Sequence, residues 1–408
     1  MQAILGIGVF IAICWLVSES RRDITWRFVV IGLSIQLALA YLFIQVEWVA
    51  NALLMLNSIV EQIEAATTAG TTFLFGYLGG GETPFEISKG SAMYLFAFRV
   101  LPQVVVFSAI IAVLWYWGVL PAIVRAFGWL LQRTLGVSGA LGTSGAATLF
   151  LGMVETPLVV RAYLKELSRS EYFCLMTFGM STVAGSVMVL YASVLNEYLP
   201  GGLGHILSAS VLNVIGATYV ARMLIPSDSS GTGDRGTGLK YASLMDAITR
   251  GTTDGLALAM NVGAMLLVLL SLVALVNGLL GLIPIGDLTL SLELVVGWIF
   301  APVAWLIGIP WSEAIHAGSL LGTKLVLNEL VAYLQFAGST ENFSAKSQII
   351  LIYALCGFAN FGSLGILLGG LNTMVPERRE ETLEIAPKSL ISGTLVTLIT
   401  GAVIGLVV

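Results

Sequence analysis

Two glutamates sit where a carboxylate is expensive. Residues 150–160 read FLGMVETPLVV, and every one except Glu155 is uncharged. Residues 322–333 read GTKLVLNELVAY, and there Glu329 stands among apolar neighbours. A carboxylate near the centre of a bilayer costs at least roughly 2.5–3.5 kcal/mol on insertion scales, so it faces a cavity and a partner. Ionised carboxylates only accept hydrogen bonds. Two of them suit a neutral solute rich in donors, such as a sugar diol, better than an anion. In CGFANFGSLGILLGG (356–370), Asn360 and Ser363 add an amide and a hydroxyl, and Phe358 adds a ring face for a planar group. A patch for sugar hydroxyls beside an aromatic surface points to a nucleoside. Taken singly these residues are weak signals, since Ser and Asn in membrane helices are more often interhelical glue.

Other chemistry finds no support. There is no HExxH, no GxSxG with partners and no P-loop, so neither an enzyme nor an ATP-driven pump is indicated. Cys14, Cys174 and Cys356 lack ligand spacing and read as small core residues, so no metal site is expected. His205, in GGLGH, reads as a solvated loop residue, and His316 as structural.

The elements that must position these groups follow from composition. The chain has 408 residues, 57% hydrophobic and 11% charged, with a mean hydropathy of +0.93. Soluble domains carry about 25% charged residues. The apolar runs have helix length, so the fold class is an all-α polytopic membrane protein and not a barrel. The net charge of −5 is scattered and indicates no nucleic-acid surface. Eight transmembrane helices are expected at about 1–18, 28–49, 93–120, 171–197, 203–225, 254–284, 347–374 and 387–408. Residues 1–18 read as a retained first span rather than a signal peptide. Residues 55–80 read as an interfacial helix and loop.

Two further apolar stretches, 137–167 and 290–335, are broken by Gly, Pro, Ser and charge and read as re-entrant helical hairpins. Each is followed by a Gly-interrupted helix, MSTVAGSVMVLYAS (180–193) or CGFANFGSLGILLGG, and then by a plain span. Hairpins and broken helices at corresponding places in two inverted halves mark a secondary transporter with a midplane site. Pro157 is tolerated at the start of a half-helix, where its missing N–H has no partner anyway. Each hairpin thus delivers one carboxylate toward the middle. Lys and Arg gather on one side (Arg21, Arg22, Arg27, Arg125, Arg133, Arg161, Lys165, Arg169, Arg222, Arg235, Lys240, Arg250, Arg378, Arg379 and Lys388), leaving Lys89, Arg99 and Lys346 opposite. The first side is expected to be cytoplasmic, with both termini periplasmic. Residues 226–240, PSDSSGTGDRGTGLK, read as the one flexible linker.

These motifs resemble the concentrative nucleoside transporter family. The resemblance is carried by GMVETPL (152–158), MSTVAGSV (180–187), PWSEAIHAGSLLGTK (310–324), NELVAY (328–333) and CGFANFGSLGI (356–366), and it covers most of the chain from about residue 90. It implies cation-coupled nucleoside uptake across an inner membrane by a homotrimer with an elevator mechanism. The expected division is 1–120 scaffold; 121–225 mainly transport domain; 226–285 linker and long scaffold span; and 286–408 mainly transport domain. It also implies that Glu329, Phe358, Asn360 and Ser363 hold the ribose, that Glu155 serves the sugar side, and that Val187 lines the base pocket. The chain departs from the family at the first hairpin tip. After Gly152, Met153 and Val154 stand where a Gln and a small polar residue usually bond the base edge. A site without those groups discriminates bases weakly, and another small hydroxylated or heterocyclic solute is the alternative cargo. The positions matching the family's sodium ligands are Thr148, Leu151, Thr182 and Val183. Thr148 replaces an amide oxygen with a hydroxyl, so a proton on Glu155 is the expected coupling ion, with sodium as the alternative.

Overall fold

The computed structural model describes residues 1–86, 95–196, 202–226, 240–282 and 290–408. Every regular element among them is helical. The chain opens with α1 (Gln2–Val17), α2 (Trp26–Gln45) and α3 (Glu47–Phe75). A one-turn helix α4 (Phe96–Arg99) leads into α5 (Leu101–Tyr116), and α6 (Val119–Leu135) follows. The short α7 (Gly139–Ala147) and α8 (Glu155–Val159) form the limbs of a first hairpin. Next come α9 (Arg169–Ser181) and α10 (Gly185–Asn196), the halves of one broken helix, then α11 (Gly202–Leu224) and the long α12 (Leu244–Leu280). The remaining helices are α13 (Leu292–Leu306), α14 (Trp311–Val326), α15 (Glu329–Ala337), α16 (Ala345–Leu355), α17 (Phe361–Met374) and α18 (Arg379–Val407).

Among the described residues, six helical stretches are long and apolar enough to cross a membrane: Trp26–Gln45, Phe96–Tyr116, Arg169–Ala192, Gly202–Leu224, Leu244–Leu280 and Pro376–Val407. The other two expected stretches, 1–18 and 347–374, are a shorter apolar helix and a second broken helix. Helix α1 has 16 residues, and 347–374 is split into α16 and α17 by a break. Residues 290–335 form three helices rather than two limbs. Helices α13 and α14 meet at 116°, where Gly308 adopts φ +111° and Pro310 stands at the N-cap of α14. The second hairpin is therefore α14 and α15. The stretch at 55–80 belongs to a continuous 29-residue helix that stops at Gly76. The linker positions 227–239, with Arg235, and Lys89 lie outside the described residues.

Burial separates a core from a periphery. In the apolar windows of α9–α10 and α11, 94% and 83% of residues are buried, against 17% in α12. Helix α12 lies along α5, where Gly251 and Gly255 admit the facing backbone. A Cβ at these positions would come 2.8 Å from the Cα of Ala109 and of Val105. Small residues four apart allow this approach in apolar surroundings that supply no hydrophobic drive. The core holds several buried tyrosines, and most of their hydroxyls are paired, as apolar surroundings favour; the Tyr163 hydroxyl is an exception. Tyr172 meets Thr382, Tyr219 donates to Gln36, and Tyr333 donates to the Ile352 carbonyl. Tyr353 meets His205, which sits half-buried in the first turn of α11 rather than in a solvated loop. His316 is exposed on α14, and all three cysteines are buried and free.

Candidate functional site

The site is built where two chain breaks meet. Helix α9 ends at Ser181 and α10 starts at Gly185; helix α16 ends at Leu355 and α17 starts at Phe361. Each break leaves helix-terminal N–H and C=O groups without intrahelical partners. Buried groups of this kind must be paired, and here each break helps to satisfy the other. The Phe358 N–H donates to the Thr182 carbonyl at 3.3 Å. Asn213, on α11, donates through Nδ2 to the Ser181 carbonyl at 2.8 Å and to the Cys356 carbonyl at 2.7 Å. Its Oδ1 accepts from Thr400 of α18 at 2.6 Å, and Thr400 accepts from Gln36 of α2 at 2.9 Å. Gly357 makes the meeting possible. Its φ is +157°, and a Cβ there would lie 2.6 Å from the Ser181 carbonyl oxygen.

The second hairpin aims Glu329 at this junction. Asn328 caps α15, its Oδ1 accepting from the Val331 N–H at 2.8 Å. Glu329 is thereby the first residue of the half-helix, where the positive end of the dipole favours a carboxylate. Asn360 caps α17 in the same manner, its Oδ1 accepting from the Ser363 N–H at 2.7 Å. That bond fixes the amide's orientation, so Nδ2 faces Glu329 and donates to Oε2 at 2.8 Å. The other oxygen, Oε1, accepts from the Tyr191 hydroxyl at 2.5 Å. Tyr191 lies on α10 one turn beyond Val187, and its ring stacks at a tilt on Tyr333, 4.9 Å between centroids. Sequence reasoning missed Tyr191. The available signal was a polar aromatic on the same face of the broken helix as Val187. Glu329, Val187, Phe358, Asn360 and Ser363 are all buried.

The first hairpin tip is arranged differently. Glu155 opens α8 and is exposed. Pro157 is the third residue of that half-helix, inside the first turn as expected. The carboxylate folds back over Gly152, where a Cβ would lie 2.3 Å from Oε2. Met153 is buried; a Cβ added at Gly179 of α9 would lie 3.0 Å from its own. Val154 lies over Gly370 of α17. The tip is pinned to the first break by the Gly185 N–H, which donates to the Phe150 carbonyl at 3.1 Å. This brings the expected cation-coupling positions Thr148, Leu151, Thr182 and Val183 to one buried region. The hydroxyl protons of Thr148 and Thr182 go to the carbonyls of Gly145 and Phe178, both at 2.8 Å. Their oxygen lone pairs stay available to a cation. No cluster of His, Cys, Asp and Glu suited to a metal ion occurs among the described residues.

A carboxylate at each of two hairpin tips, Glu329 buried and Glu155 exposed, set against two broken helices, gives the architecture of a helical membrane carrier. Comparison with known proteins agrees and sharpens the class. Models described as "Na+ dependent nucleoside transporter" match residues 5–78 (N-terminus) and 205–405 (C-terminus), and one described as "Nucleoside recognition" matches 97–198. The chain is 37% identical to "Uncharacterized transporter YutK" of Bacillus subtilis, covering 100% of this chain and 99% of that one. It is 34% identical to "Nucleoside permease NupC" of Helicobacter pylori, covering 99% and 97%. Its fold matches the structure of CNTnw in an inward-facing substrate-bound state with a TM-score of 0.92, at 38% identity over 100% of this chain and 98% of that one. The chain belongs to the concentrative nucleoside transporter family. Its relatives are transporters and not enzymes.

Proposed function

We propose that this chain carries nucleosides across a bacterial-type inner membrane by cation symport, holding the ribose at Glu329 and reading the base loosely. The supporting observation is the state of the Glu329 carboxylate. An ionised carboxylate offers about four lone-pair positions. Tyr191 and Asn360 occupy one on each oxygen. Two remain, which matches the two hydroxyl donors of a ribose diol. Asn360 and Ser363 complete the sugar side, Phe358 and Val187 offer apolar surface to the base, and Glu155 closes the site from the first hairpin. Met153 and Val154 present no hydrogen-bonding groups to a base edge, so discrimination rests on shape and apolar contact.

Coupling is assigned to the first hairpin. A proton on the exposed Glu155 is the leading form. Sodium at Thr148, Leu151, Thr182 and Val183 is the second, favoured by the Na+ dependence in the description of the matching family models. In each protomer of a homotrimer the transport part moves against the scaffold in an elevator cycle, with the basic side cytoplasmic and both termini periplasmic. The deciding experiment is uptake of radiolabelled uridine and adenosine into proteoliposomes, with proton and sodium gradients imposed separately. Accumulation under one gradient identifies cargo and ion together. Failure of any riboside to accumulate or compete, in folded protein, overturns the nucleoside reading in favour of another hydroxylated solute.

A further inference from the structure

Helix α6 presents different chemistry on each of its flanks. Leu120, Val124, Gly128, Leu131 and Leu135 are buried. On this face Gly128 meets α7, the first limb of the first hairpin; a Cβ added at Gly142 would stand 2.7 Å from the Gly128 carbonyl oxygen. Val119, Ile123 and Leu130 form a second, exposed apolar stripe. Arg125, Trp129 and Arg133, each four residues from the next, form a third stripe beside it, and all are exposed. The Arg133 guanidinium lies over the Trp129 ring, 5.9 Å from its centroid.

The cations of the basic side differ in their partners. Lys165, Arg169, Arg250, Arg378 and Lys388 each pair with an Asp or a Glu. Among the described residues no carboxylate pairs with Arg125, Arg133 or Arg222. Arg222 of α11 reaches the C-terminal end of α6, donating to the Gly136 carbonyl at 3.5 Å while lying 4.3 Å over the Phe28 ring of α2. Residues 87–154 contain no Asp or Glu at all. An uncompensated cationic stripe with an indole in it therefore runs beside an exposed apolar one. A helix of this kind lies in the plane of the membrane interface, its apolar flank toward the acyl chains and its Trp and Arg at the headgroups. Guanidinium forks match the geometry of phosphate oxygens. We propose that α6 is a docking surface for anionic phospholipid of the cytoplasmic leaflet, with the lipid phosphates held by Arg125 and Arg133 along the helix and by Arg222 at its end. A zwitterionic headgroup brings its own ammonium and leaves the patch uncompensated. Because α6 packs on α7, the bound lipid steadies the base of the first hairpin. This inference holds whichever solute and ion are carried.

The test titrates the full chain, in uncharged detergent, with phosphatidylglycerol or with phosphatidylcholine of the same acyl chains, and follows the thermal unfolding midpoint. Phosphatidylglycerol is expected to raise the wild-type midpoint more, and added salt to shrink the difference. Arg125→Gln combined with Arg133→Gln, at exposed positions that folding tolerates, is expected to need roughly tenfold more phosphatidylglycerol for half the shift. Its response to phosphatidylcholine is expected to stay as in wild type. Lys165→Gln combined with Arg250→Gln removes the same charge from the same side, at paired positions, and is expected to respond as wild type does. Equal wild-type responses to the two lipids overturn the proposal and leave a second copy of the chain or plain apolar contact as the cover. An equal loss in the Lys165 and Arg250 double variant overturns it in favour of general charge attraction. The same shift from inorganic phosphate alone overturns it in favour of a free-anion site.

Discussion

The Phe358 N–H donates to the Thr182 carbonyl, joining the second chain break to the first at 3.3 Å. Residues that lie far apart in sequence thereby share one polar junction, and neither break is complete alone. The carbonyl taken by Phe358 sits beside the expected ion ligands, and Phe358 itself stands beside the expected ribose ligands. The proposed solute and ion positions are thus one hydrogen bond apart, a short physical route by which occupancy of one could be linked to the geometry of the other.

Asn213 is the keystone of that junction. Asn213→Ala leaves the Ser181 and Cys356 carbonyls without their donor, in a region closed to water. Each orphaned buried group costs about 1–3 kcal/mol. Thermal unfolding in detergent is expected to drop by several degrees, well beyond Ser208→Ala, whose hydroxyl donates within its own helix to Gly204. Equal midpoints for the two variants would remove the keystone role.

Tyr191 orients Glu329 without belonging to the sugar ligands named from the sequence. Tyr191→Phe keeps the ring stack on Tyr333 and removes the donor to Oε1. A hydrogen bond to a charged group contributes about 1.5–3 kcal/mol, and about 1.4 kcal/mol is tenfold in affinity. The expected result is a KM for uridine raised roughly 10- to 100-fold with the melting midpoint nearly unchanged. An unaltered KM would mean that Tyr191 only packs.

Much of this site was legible before any coordinates. Glu155 and Glu329 stand out because a carboxylate in an apolar run has few structural excuses, and FANFGS announces its break through Gly and Asn. Asn328 and Asn360 also cap their half-helices, a role the sequence reading assigned to neither. Less legible were features set by tertiary partners. Tyr191 has no anomaly in its local sequence, and only the approach of α15 gives its hydroxyl a role. Asn213 reads as one more polar residue in a span. The division of 290–335 into three helices turned on Gly308 and Pro310, whose breaking signal is the same for a hairpin tip and for a sharp bend. His205 looked solvated because GGLGH is rich in turn residues, yet α11 begins within it.

A methyl group at Gly152 is expected to displace the Glu155 carboxylate. A Cβ there would stand 2.3 Å from Glu155 Oε2. Gly152→Ala therefore forces the carboxylate out of its position over the tip, while the other neighbour of the added methyl, Ala184 Cβ, lies at an ordinary 3.6 Å. Uptake is expected to fall at least about tenfold, which needs only about 1.4 kcal/mol of misplacement, with gel-filtration behaviour retained. Wild-type uptake by Gly152→Ala would show that Glu155 acts from another rotamer.

A last prediction concerns the basic face outside the apolar core. Glu19, in the loop after α1, accepts from Arg169 at the start of α9 at 2.9 Å and from Lys388 of α18 at 2.6 Å. The Arg169 guanidinium above all, opposed by burial and aided by Lys388, holds its carboxyl below the ordinary value of 4.5. A carboxylate whose folded-state pKa is lowered gives stability that is fully present above the ordinary value. That stability is lost as pH falls through the folded value. The clamp should thus stabilise the protein at neutral pH and fade below about pH 4.5. Partial exposure limits its worth to about 1 kcal/mol. Melting midpoints of wild type and Glu19→Gln, followed from pH 7 down to pH 3, are expected to differ at neutral pH and to converge on acidification. Parallel curves across the whole range would show that Glu19 contributes through packing rather than charge.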